Sequence, residues 1–404
     1  MLEALQAAVL VATLVGVALG RYPWLKMNRA TIALVGATAL VGLGALSLEQ
    51  AFEAIDLDTL LLIFAMMVIN ANLRFSGFFN MVVAKVSAFG HSPHQLMLLV
   101  VMVSGFLSAL FLNDTIVLVF TPLVVEITRN LKLPPIPYLM ALATSANIGS
   151  VATVIGNPQN MLIGTSSGIS FGAFAAALTP VAVGGLLIAW GILALVYRKE
   201  LAPREIALEK PPKARIRKPR LMKSLGATAL MLVLAFVGMP VALAAAIGAS
   251  FLLVTRRMRP ERVFKEIDVT LLVFFASLFV VTASVAHSPL FRSWLVPLEN
   301  LIQKGPAGLV ALGAVLSNLI SNVPAVLLLR PSIAALENPE PAWLLLAMAT
   351  TLAGNLTLLG SVANLIVAES AARQGVKLSF GAYLKAGLPI TLLTLAWGGF
   401  WLSR

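Results

Sequence analysis

Apolar runs of close to twenty residues recur along the whole chain, parted by short polar loops. They fall at about 4–20, 30–47 and 57–73, followed by a short amphipathic stretch at 76–90 and a run at 95–128 that is broken in its middle. An interrupted run at 136–164 and a whole one at 171–197 complete the first half. After a polar linker the order repeats: runs at about 224–238, 239–255 and 267–285, an amphipathic stretch at 288–300, a broken run at 305–331, an interrupted run at 342–371 and a last run at 380–402. A run of about 20 apolar residues predicts a membrane-crossing helix, because it reaches across the hydrocarbon layer.

The breaks are themselves repeated. Leu107 to Pro122, LSALFLNDTIVLVFTP, reads as apolar helix, polar interruption at Asn113, Asp114 and Thr115, and apolar helix closing on a proline. Leu316 to Pro331, LSNLISNVPAVLLLRP, pairs with it without a gap and brings Asn113 onto Asn322 and Pro122 onto Pro331. A backbone break at membrane depth survives only where protein or a water-filled cavity satisfies the freed groups, so each break marks a candidate site.

Composition agrees with a membrane protein: 59% of residues are hydrophobic and 11% charged. That leaves too little polar surface to coat a soluble globule of 404 residues. The net charge of +12 points to no nucleic acid, because Lys and Arg sit in short loops where anionic lipid and the topology rule account for them. The linker 198–223 carries ten Lys or Arg against three Glu, so it is solvated. It separates a first repeat, 1–197, from a second, 224–404, and is where an ATPase subunit could dock. Leu2 to Gly20 lacks a basic leader and an A-x-A cleavage site, so it reads as a mature first helix.

Orientation follows from the loops. Arg21, Lys26 and Arg29 precede the second run, and Glu49, Glu53, Asp56 and Asp58 precede the third, which places the first loop in the cytoplasm and the second outside. Every later loop agrees if each broken run enters and leaves on one side, the Asn113 run from the cytoplasm and the Asn322 run from outside. The expected fold is therefore an all-α polytopic membrane protein built as an inverted repeat. Each half has about five transmembrane helices plus one re-entrant hairpin (95–128 and 305–331), giving ten crossings, two discontinuous helices and both termini external. Inverted repeats of this kind are typical of secondary transporters.

Each hairpin tip is expected to present unpaired N–H groups and a positive dipole end beside bare carbonyls. The interrupted runs supply the other wall. In the first, SVATVIGNPQN sets Thr153, Gly156 and Asn160 in a T-x-x-G-x-x-x-N pattern, with Asn147, Ser150 and Asn157 nearby. The second repeats it as Thr357, Gly360 and Asn364, with Asn355 and Ser361 adjacent. Glycine lets the helix unwind, and short polar side chains replace lost backbone bonds or hold a solute. The same residues could serve only to join helices, but their recurrence after a broken hairpin in both halves favours a site. Ser321 and Asn322 form its second tip.

Asp114 is the acid in the tips, and a carboxylate at membrane depth is costly unless protonated or paired. It is the candidate for proton coupling, although an Asp there could also cap the returning helix. Val323 and Pro324 hold the matching places, so the site is chemically lopsided. Arg330 is expected to snorkel or pair toward the outer surface, and Asp56, Asp58 and Glu369 read as interfacial charges. The chain has no cysteine and only three scattered histidines, His91, His94 and His287. No metal site, cofactor or nucleophile with its base is visible, so a membrane enzyme is not expected.

At these residues the chain resembles the ion transporter superfamily with the citrate-transporter-like domain, over essentially its full length. The dicarboxylate symporters of that group carry Ser-Asn-Thr at both tips. Here the tips are Leu112-Asn113-Asp114-Thr115 and Ser321-Asn322-Val323-Pro324, which is more similar to the arsenite and antimonite efflux permease branch. The resemblance implies a scaffold and a mobile domain that moves in an elevator fashion, commonly in a homodimer, in the inner membrane of a prokaryote. It implies proton-coupled efflux of arsenite or antimonite, recognised without thiolate by groups around Asn113, Asn147, Asn322 and Asn355. The alternatives are a sodium- or proton-coupled symporter of an inorganic oxyanion or a di- or tricarboxylate such as citrate, and a sodium/proton antiporter. The favoured coupling ion is the proton, with sodium second.

Overall fold

In hydrocarbon a backbone can bond only to itself, so each apolar run folds as a helix. The computed structural model describes residues 2–20, 22, 25–202, 216–254, 259–287, 300–302 and 304–404, and among them there is no strand. The first half comprises α1 (Leu2–Leu19), α2 (Arg29–Gly42), α3 (Leu48–Glu53), α4 (Leu57–Ser76), α5 (Phe78–Phe89), α6 (Pro93–Leu110), α7 (Asn113–Asn130), α8 (Pro135–Ser150), α9 (Pro158–Ser167) and α10 (Phe171–Val196). The second comprises α11 (Lys218–Phe236), α12 (Val241–Leu253), α13 (Pro260–Phe264), α14 (Val269–His287), α15 (Pro306–Ile320), α16 (Asn322–Ala334), α17 (Glu340–Ala353), α18 (Val362–Ala372) and α19 (Phe380–Leu402). Residues 288–299 of the expected amphipathic stretch and 203–215 of the basic linker lie outside the described residues.

Among the described residues six helices are long and apolar enough to cross a membrane: α1, α4, α6, α10, α11 and α19. Most of the others are apolar but shorter, from 10 to 17 residues. They are short because the chain is interrupted where the sequence is polar.

The helices pack in two sets, and the main packings of one half have counterparts in the other. α1 lies on α2 and α11 on α12; α2 lies against α14 and α12 against α4. In the second set α6 lies on α8 and α15 on α17, α7 meets α8 and α18, and α16 meets α17 and α9. α10 and α19 close the second set by packing on each other. α6 and α8 meet at backbone distance, since a Cβ on Gly149 would stand 2.0 Å from the carbonyl oxygen of Gly105. Only glycine allows that approach.

Two expectations about the hairpins change. Pro122 and Pro331 do not end their helices: α7 continues to Asn130 and α16 to Ala334. A proline removes one N–H and does not stop a helix whose other bonds stay internal and whose surroundings are protein. Asp114 does not cap α7. The cap position is Leu112, without a side-chain bond, and Asp114 sits inside the first turn.

Candidate functional site

Neither broken run passes straight through. Phe111 and Leu112 take extended angles, so Asn113 N–H cannot return to the carbonyl of Ala109 as a continuous helix requires. It donates to the Gly156 carbonyl at 3.0 Å, while the Ala109 carbonyl accepts the Thr153 hydroxyl at 2.5 Å. Each break thus completes the other. The N–H groups expected to stand unpaired at this tip are therefore partly taken, because Asp114 N–H also bonds to Asn113 Oδ1 at 2.9 Å. Gly156 permits the contact, as a Cβ there would lie 2.4 Å from the Ser150 carbonyl.

The second tip is a single residue. Ser321 has φ 78° and ψ 159°, a region that costs a residue with a Cβ about 1–3 kcal/mol. Beside it Asn322 Oδ1 accepts from the Ser317 hydroxyl at 2.5 Å. Replacing Ser321 with glycine is expected to raise stability by about 1 kcal/mol, minus what glycine loses in the unfolded chain. An unchanged or lower midpoint in thermal unfolding would show that the surroundings do not hold that backbone under strain.

Asn147 is the hub between the breaks. Its Oδ1 accepts from Asn113 Nδ2 at 3.1 Å and from the Ser361 hydroxyl at 3.0 Å. Its Nδ2 donates to Asn355 Oδ1 at 2.9 Å and Asn364 Oδ1 at 3.1 Å. The first hairpin tip is thereby tied to the break of the second half. Asn160 and Asn364 play matching parts: Asn160 Nδ2 donates to the carbonyls of Ser150, Val151 and Thr153, and Asn364 Nδ2 to those of Gly354 and Thr357. These amides replace the bonds that unwinding removes. Asn157 and Ser361 cap the helices that resume after each break.

Of the residues expected at the site, the structure joins Asn113, Asn147, Asn355, Ser361 and Asn364 in one network. Ser150, Thr153, Gly156, Asn157 and Asn160 form the first break around it. Gly360 lies in the second break, where a Cβ would stand 2.9 Å from Asn318 Oδ1. The side chains of Asp114, Thr115, Ser321, Asn322 and Thr357 stay outside the Asn147 network, and these residues are partly exposed. Asp114 belongs to neither of the ion pairs among the described residues. The network includes no Lys or Arg. Arg330 pairs with Asp56 at 3.4 Å, so it does pair rather than reach the site.

Sequence reasoning missed Thr351. Its hydroxyl oxygen accepts from Gln159 Nε2 at 3.1 Å and from Asn157 Nδ2 at 3.4 Å, and stands 3.4 Å from Asn160 Oδ1. The register that lays Thr153 on Thr357 lays Asn147 on Thr351, which is the signal that could have found it. Each residue reaches across into the break of the opposite half.

A family model described as Citrate transporter matches residues 14–351. The chain is 33% identical to the silicon efflux transporter LSI3 of Oryza sativa subsp. japonica, over 93% of this chain and 92% of the rice protein. It is 26% identical to a Dictyostelium discoideum protein named as a transporter, arsB, over 93% of this chain and 87% of that one. Among solved structures the YdaH transporter of Alcanivorax borkumensis shares the fold, with a TM-score of 0.59 at 15% identity over 99% of this chain and 97% of that chain.

Proposed function

This chain belongs to the citrate transporter family, and from that premise we propose that it exports a small neutral oxyacid, arsenite or antimonite first among them, in exchange for protons taken up at Asp114. That it is a multi-pass membrane transporter follows from the family and the apolar helices. The observation that carries the finer reading is the network around Asn147, which offers amides, hydroxyls and backbone groups and no cationic side chain. A charged carboxylate would leave its charge to helix ends alone. A neutral molecule that bears only hydroxyls needs what the network has. The name of one relative, a silicon efflux transporter, supports this class, since silicon exists in neutral water as an uncharged hydroxide, as arsenite does.

In the proposed cycle the outward-facing site releases solute and Asp114 takes a proton. The inward-facing site then gives the proton to the cytoplasm and binds solute again. The helices α6–α10 and α15–α19 move as the elevator against a scaffold of α1, α2, α4, α11, α12 and α14. The matched packings of the two halves support an inverted repeat of 1–197 and 224–404, and the proposal takes this repeat to have ten crossings and external termini and to work as a homodimer in the inner membrane. The family description favours, as a second reading, proton- or sodium-coupled symport of a di- or tricarboxylate.

Everted vesicles under an imposed pH gradient test the choice. Arsenite, silicic acid and citrate are offered in turn, with accumulation of a neutral oxyacid expected. Accumulation of citrate alone would overturn the proposal.

A further inference from the structure

The second hairpin carries a cation where the first has none. Arg330 is the one charged residue of α16, and the gapless match of the hairpins sets Thr121 in its place, buried and donating to the Val117 carbonyl of its own helix at 2.6 Å. Packing at this position therefore asks for no charge. A cation on a membrane helix is costly unless it is paired or reaches water, and Arg330 is paired, with Asp56 Oδ2 at 3.4 Å. The other oxygen, Asp56 Oδ1, accepts from the Thr59 N–H at 2.9 Å and caps α4. One carboxylate thus starts a helix and holds a neighbour.

Thr59 is fully buried, and its hydroxyl stands 2.7 Å from that of Thr165 on α9. Thr165 Oγ1 also lies 3.1 and 3.0 Å from the carbonyls of Met161 and Leu162, which can only accept, so its proton stays on its own helix and Thr59 is the donor. α9 and α16 pack on each other. The first turn of α4 is therefore gripped from two adjoining helices.

We propose that Asp56 with Arg330, and Thr59 with Thr165, form a latch that holds the present arrangement of the helices and parts once in each transport cycle. The inference rests on the division proposed above, in which α4 belongs to the scaffold and α9 and α16 to the helices that move. The latch is one-sided. Asp268 caps α14 as Asp56 caps α4, accepting from the Leu271 N–H at 3.0 Å, yet it belongs to neither ion pair among the described residues. Alternating access in an inverted repeat works one half against the other, so the opposite state brings Asp268 toward Thr121 and toward Glu369, which the T-x-x-G-x-x-x-N register sets in the place of Thr165. Neither offers it a cation: Thr121 gives its proton to its own helix, and Glu369 bears the same charge as Asp268. A contact made in one state alone shifts the population toward that state. These four side chains set where the protein rests.

The chain has no cysteine, so single thiols can be placed in it cleanly. In Thr59→Cys the thiol is covered while the latch is closed, and N-ethylmaleimide reaches it when the seam parts. Within that background Arg330→Gln is expected to speed labelling about threefold, the loss of a partly exposed ion pair, and Arg330→Lys, which keeps the charge, to restore most of the slow rate. Equal rates in the three folded proteins would overturn the latch. The second measurement pairs Thr59→Cys with Thr165→Cys, since hydroxyls in hydrogen-bond contact bring their Cβ atoms near disulfide range. Oxidation is expected to stop solute movement in proteoliposomes and reduction to restore it. Movement at the full rate in the oxidised protein would also overturn the latch. If arsenite, silicic acid and citrate all fail to move in the reduced protein, the proposed function falls, and the labelling rates still decide the latch.

Discussion

Replacing Asp114 with asparagine is expected to abolish solute movement driven by a pH gradient while the protein remains inserted and folded. Asparagine keeps the shape and removes the group that gains and loses a proton. The carboxylate forms no ion pair among the described residues, so its loss strands no partner. Its place in the first turn of α7 lets the helix dipole favour a negative charge by about 0.3–1 kcal/mol, which bounds the stability effect. Solute exchange down its own gradient should persist in Asp114→Asn, since the Asn147 network is untouched. Proteoliposomes measured with and without an imposed pH gradient separate the two activities. A variant that still responds to the gradient as the natural protein does would remove Asp114 from coupling.

Asn147→Ala is expected to cost about 2–4 kcal/mol and to reduce transport to background, because four bonds end on this one amide. Asn355 and Asn364 would each lose the donor to a buried side-chain oxygen, at about 1–3 kcal/mol for an unsatisfied group. The figure is below a simple sum because neighbouring losses in a network do not add. Thr351→Val, at the matching position, strips the first break of its cross-link and should act in the same direction with a smaller effect. Its bonds are longer, 3.1 to 3.4 Å. Thermal unfolding reads the stability and vesicle uptake reads the function. An Asn147→Ala protein as stable and as active as the natural one would mean that the two breaks work independently.

The positions of the helices and of both pairs of breaks could be read from residue pattern alone. Hydropathy reports where a backbone must bond to itself, and Asn113, Ser321, Gly156 and Gly360 stand where it stops doing so. The repeated T-x-x-G-x-x-x-N pattern also located the residues that rebuild the breaks. Asn160 and Asn364 serve the carbonyls of their own loops, which are close in the chain.

What the pattern could not supply was the partner of each polar group across the middle of the molecule. Asn147 bonds to residues 208 and 217 positions away, and nothing periodic in a helix encodes such a pairing. Thr351 and Gln159 each look like an ordinary membrane-helix residue until their neighbours are known. The run lengths, the repeat and the lone acid at the first tip are local properties, set by the cost of leaving backbone or charge unsolvated in hydrocarbon. The crossing of the two halves, in which each break is finished by a side chain from the other, depends on how the helices pack, and only the tertiary structure decides it.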